Sequence, residues 1–80
     1  MPKQIIETLA QVEAPGPHGF CAGIVLWGDG DAFDLVVEAA PILRRQFKGK
    51  RRAYVRAVCL KKGWRVHVVH QLKRTHPRAL

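Results

Sequence analysis

The residues best suited to chemistry in this 80-residue chain are its cations. Arg44, Arg45, Lys48, Lys50, Arg51 and Arg52 fall within nine positions, and Arg56, Lys61, Lys62, Arg65, Lys73 and Arg74 follow. Cations at this density repel one another, and a phosphate backbone relieves that repulsion while releasing its own counterions. The chemistry they suit is contact with a polyanion, with nucleic acid or a nucleoprotein complex foremost. A solvated face that keeps a small protein soluble is the plainer reading of such a run. Backbone contact is expected over base reading, because Asn is absent and the Gln residues are scattered, leaving Arg as the main base reader. Phe47 and Tyr54 are the only aromatics between Arg44 and Lys62, too few for a single-strand stacking platform.

Three further constellations are weaker. Asp29, Asp31 and Asp34 have the Asp-x-Asp look of a calcium loop, but the twelve-residue loop ending in Glu is missing, and turn chemistry explains them better. Asp34 and Glu38 are expected on one outward strand face about 13 Å apart, too far to share a nuclease metal. His18-x-x-Cys21 and His67-x-x-His70 invite a zinc reading. Residues three apart on a strand point to opposite faces, and no Cys-x-x-Cys accompanies them, so no metal site is expected. Cys21 and Cys59 could pair with a histidine as nucleophiles. The chain holds no Ser and no nucleophile elbow, and the apolar flanks of both thiols make them packing residues. The expectation is a protein without catalytic residues, cofactor or metal.

Composition bounds what can position these groups. Fourteen Lys and Arg against six Asp and Glu give a formal charge of +8, and 48% of the residues are apolar. The length allows one small domain and leaves no room for a dinucleotide-binding fold or an α/β barrel. Such a domain buries only about 60% of its unfolded surface, and two cysteines make no disulfide framework to help it. The charges are segregated. All six acids and one base lie in residues 1–40, against thirteen bases and no acid in residues 41–80, formal sums of −5 and +13. No apolar stretch approaches eighteen residues and Met1-Pro2-Lys3-Gln4 lacks signal-peptide character, so a cytoplasmic protein with no membrane partner is expected.

The elements follow from punctuation and periodicity. Phe20 to Trp27 is apolar on both alternating faces, as in a central strand covered at least in part on each side. Gly28-Asp29-Gly30-Asp31 reverses the chain into a strand with Phe33, Leu35, Val37 and Ala39 inward and Asp34, Val36 and Glu38 outward. Pro41 opens a short helix toward Arg45. A second helix runs from Arg51 to Lys62 and stops at Gly63, with Val55, Val58 and Cys59 as its favoured buried sector over Ala53, Ala57 and Leu60. Trp64 to Leu72 alternates as a strand with Trp64 in the core, and residues 73–80 form a flexible basic tail. Residues 5–13 fit either helical or strand spacing before Pro15-Gly16-Pro17 ends them. Read as a strand, they give an α+β fold, a small antiparallel sheet of about four strands (β-β-β-α-β) with a helical region packed on one face.

Three strings carry a resemblance: His18-Gly19-Phe20-Cys21-Ala22-Gly23-Ile24-Val25-Leu26, then Val36-Val37-Glu38-Ala39-Ala40-Pro41-Ile42, then Cys59 with Lys62-Gly63-Trp64. Over residues 18–68 the chain resembles short, largely uncharacterised proteins encoded by bacteriophages and prophages. The long first segment and the basic run from Lys48 to Arg52 depart from that pattern. The resemblance implies a setting, that of accessory proteins that bind host machinery, bind DNA or inhibit defences such as CRISPR. The expectation is a non-enzymatic binder of nucleic acid or nucleoprotein. Its rival is an inhibitor that grips an acidic host protein, and a homodimer is compatible with either.

Overall fold

The computed structural model describes residues 3–76. Six elements follow in the order β1 (Lys3–Ala14), β2 (Phe20–Gly28), β3 (Leu35–Ala39), α1 (Pro41–Phe47), α2 (Arg52–Lys62) and β4 (Arg65–His76). The strands make one antiparallel sheet ordered β3-β2-β1-β4, and both helices lie on one of its faces. This is the expected α+β architecture, with residues 5–13 in a strand. No helix among the described residues is long and apolar enough to cross a membrane.

Alternation explains which side is core. Thr8, Ala10 and Val12 of β1 and Ala22, Ile24 and Leu26 of β2 point to the helix side and are buried. Leu43 and Phe47 of α1 and Val55 and Cys59 of α2 land on them, with Val58 partly buried beside them, so the favoured sector of α2 is the one that packs. Thr8 is tolerated there because its hydroxyl accepts a hydrogen bond from Gln71 Nε2 at 3.2 Å. Trp64 meets Phe20 edge to face, ring centroids 5.0 Å apart, and closes one end of the core. Pro41 stands in the first turn of α1. Gly63 ends α2 at φ 72°, the left-handed conformation that lets its N–H reach the carbonyls of Cys59 and Leu60.

The two sheet edges differ. The connector from α1 to α2 returns along β3, with Val36 N–H donating to Lys50 O and Gly49 N–H to Val36 O, each at 2.8 Å. Leu35 and Arg51 form an isolated bridge on the same edge. Among the described strands nothing pairs with the outer side of β4.

Several expectations need correction, and two β-bulges account for two of them. Leu26 pairs with Val36 but Val25 with Glu38, so Val37 is an extra residue in β3. Val36 and Ala39 therefore share the buried side, while Phe33 and Leu35 are 71% and 44% exposed. Ala10 pairs with Val68 but Leu9 with His70, making Val69 the extra residue in β4. His67, opposite Gln11, and His70, opposite Leu9, consequently share the uncovered face instead of pointing apart. Asp34 is buried in the β2–β3 loop, so it shares no outward strand face with Glu38. Cys21 is exposed on the uncovered face, where it packs against no helix. β2 is covered on one side only. β4 continues past Leu72 to His76 because it pairs back to Lys3, which removes 73–76 from the expected tail; residues 77–80 lie outside the described residues.

Candidate nucleic-acid interface

The β2–β3 loop is organised by one carboxylate. Asp34, 1% exposed, accepts from Gly30 N–H at 3.0 Å and from Asp31 N–H at 3.2 Å through Oδ1, and Oδ2 also accepts from Gly30 at 3.1 Å. A Cβ on Gly28 would collide with this carboxylate, which is why the strand ends on glycine. Asp31 caps the next turn by accepting from Phe33 N–H at 2.8 Å. Asp31 and Asp34 thus do turn chemistry, as their spacing implied.

Two arginines fasten α2 to this loop. Arg52 Nη1 donates to Gly30 O at 3.2 Å and stands 4.0 Å from Asp34 Oδ2, with the side chain 24% exposed. Among the described residues its buried Nη2 has no hydrogen-bond partner. Arg51 Nη1 donates to Phe33 O at 3.3 Å, and its guanidinium covers the Phe33 ring at 5.6 Å. Lys50 lies over Tyr54 at 5.4 Å and Lys62 over Trp64 at 5.2 Å. Arg44 is 3.7 Å from Glu38.

The basic residues divide by layer. Arg44 and Arg45 are on α1, Lys48 follows it, Lys50 and Arg51 are in the connector, and Arg52, Arg56, Lys61 and Lys62 are on α2. Residues 41–64 thereby hold nine Lys and Arg with no Asp or Glu. Arg45, Lys48, Arg56 and Lys61 are exposed, and their side chains make no hydrogen bond, ion pair or ring contact among the described residues. Arg65 does not join this group, because its register opposite Glu13 puts it on the uncovered face. Lys73, opposite Ile6, is on the helix side but near the far end of β4. Arg74 is in β4 with its side chain outside the described residues.

Arg52 and Arg56 separate two clefts. One, of about 510 Å³, lies between the β2–β3 loop and the Ala53, Ala57 and Leu60 side of α2. The other, of about 390 Å³, opens between α2 and β4 over an apolar floor of Ala10, Leu26, Val55, Val66 and Val68. It exists because α2 covers β4 incompletely, leaving Val66 and Val68 39% and 51% exposed. The structural work of Arg51 and Arg52 was not visible in the sequence, where they read as the centre of the binding run. Their spacing from the Gly30–Asp34 turn offers no local signal.

The remaining carboxylates face the other way. Glu7, Glu13 and Glu38 are on the uncovered side of the sheet, Glu7 accepting from Trp27 Nε1 at 2.9 Å and Glu13 lying 3.7 Å from His67 Nε2. Among the described residues no three His, Cys, Asp or Glu side chains group as metal ligands would.

Comparison of the chain with protein-family models, with curated proteins and with solved structures finds no match.

Proposed function

We propose that the helix layer is a phosphate-contacting face and that the protein acts by occupancy, as a small non-enzymatic accessory protein of phage type working in the cytoplasm of a bacterial host. The observation that carries this reading is the separation of charge by layer: nine cations and no acid in residues 41–64, against carboxylates placed in the β2–β3 loop or on the opposite sheet face. Arg45, Lys48, Arg56 and Lys61 are the phosphate contacts in this reading, since among the described residues no side-chain partner competes for them. Arg51 and Arg52 support them by holding α2 on the loop. Base reading has little to work with, because the unpartnered cations are spread over α1, the turn after it and α2 instead of lining one element that could enter a groove.

The test is binding of the full chain to labelled DNA duplex, single-stranded DNA and RNA at low salt. Four phosphate contacts imply an affinity loss of about a hundredfold between about 50 and 200 mM salt, with duplexes of unrelated sequence falling together. No binding to any of the three at low salt would dispose of the proposal.

A second reading has its own observation. The apolar cleft between α2 and β4, flanked by Arg52 and Arg56, suits an acidic protein surface with one apolar side chain to insert, as in an anti-CRISPR-like inhibitor. It would keep one host assembly after nuclease treatment and lose it on Arg56→Glu.

A further inference from the structure

Among the described residues nothing covers the second face of the sheet. Along it lie Leu35 of β3, Val25 and Trp27 of β2, Ile5 and Leu9 of β1 and Leu72 of β4, a band of apolar side chains crossing all four strands. Leu9 is 41% exposed and Leu72 is 43% exposed. A sheet with apolar residues on both faces ordinarily has a layer on each. We propose that the missing layer is the same face of a second copy, the two sheets packing face to face around a two-fold axis that runs along the strands between β1 and β2.

The distribution of polar groups selects that arrangement. With the axis along the strands, β3 lies over β4 of the other copy and β2 over its β1. Glu38, Val25, Leu9 and His70 occupy one level of the sheet, because Glu38 pairs with Val25, Val25 with Leu9 and Leu9 with His70. The axis therefore sets Val25 against the second copy's Leu9 and Glu38 against its His70, and does both twice. One level away, Leu35 meets Leu72 by the same operation. Aligned sheets cross at about −30°, which slides the outer columns by about one residue and leaves the central Val25–Leu9 contact in place. A two-fold axis across the strands would instead stack β4 on β4, placing Arg65, His67 and His70 over their own kind.

The two bulges fit this geometry. Val37 is inserted between the levels of Leu26 and Val25 and Val69 between the levels of Leu9 and Ala10, so the two bulges flank the shared level on which Glu38 and His70 stand. Glu7 enters the contact already accepting from Trp27, so its carboxylate is not stranded. Size is sufficient: four strands about 4.8 Å apart and about 30 Å of strand length give about 1,100 Å² of projected area over two copies, before side-chain relief, near the lower limit of a stable interface. Edge pairing through β4 is a poorer alternative. An antiparallel self-pair centred on Val69 would set Arg65 opposite Lys73 at both ends.

Sedimentation of nuclease-treated full-length chain over a concentration series tests this. The expected result is a dimer whose dissociation constant rises at least tenfold in Leu9→Lys, and equally in Leu9→Gln should the lysine variant fold poorly by circular dichroism. Glu38→Lys should weaken it likewise, and adding His70→Glu to Glu38→Lys should restore it. A wild-type chain that is monomeric throughout, or a dimer indifferent to both Leu9 variants but broken by Val69→Pro on the β4 edge, would overturn the proposal. The nucleic-acid reading concerns the opposite layer and does not stand or fall with this result.

Discussion

At the scale of single residues, burial decides what a reactive group can do. Cys59 is 2% exposed on the core side of α2, and burial pushes its thiol pKa up from the ordinary value. The sign of the consequence follows from linkage. Below the unfolded thiol pKa of about 8.5 both states hold the proton and stability is complete. As pH rises beyond it the unfolded chain loses its proton first, and stability falls until the pH passes the folded value. Urea midpoints between pH 8 and 10.5 should therefore decline less in Cys59→Val than in the wild type; parallel declines would show that this thiol carries no linkage. Cys21, by contrast, is exposed on the uncovered face.

At the scale of elements, the β2–β3 loop and the start of α2 behave as one unit. Asp34 holds Gly30 and Asp31, and Arg52 returns to Gly30 O while its own N–H donates to Asp34 O at 2.7 Å. Asp34→Ala removes the acceptor of these part-buried amides and should cost about 1–3 kcal/mol by urea unfolding. Hydrogen exchange should quicken at Gly30, Asp31 and the first turn of α2 together. Exchange confined to the loop would separate the two elements. The same contrast of local and distant signals sets how much was legible in the sequence. Pro41, Gly63 and the Val55–Cys59 spacing speak about their own neighbourhood, and the helices fell where those residues implied. The faces of β3 and β4 could not be read the same way. A bulge at Val37 or Val69 exchanges inward for outward along the rest of a strand, and what determines it is the partner strand, not the local alternation. The basic run was legible as charge but not as work, since the contacts that tie Arg51 and Arg52 to the loop join residues eighteen and twenty-two positions apart.

At the scale of the whole molecule, the layers sort charge that the chain order only hints at. The formal −5 and +13 of the two halves become a helix layer without acids and a sheet face carrying Glu7, Glu13 and Glu38. In the proposed dimer the sheet faces meet and both basic layers turn outward. The account rests on those layers contacting phosphate, and the salt dependence of duplex binding tests this most directly. Replacing Arg45, Lys48, Arg56 and Lys61 together with Ala should leave the fold intact, because none of the four has a protein partner among the described residues. The slope of log affinity against log salt should then shrink by about three to four relative to the wild type. A slope unchanged by the four substitutions, in a variant that folds normally, would contradict the account.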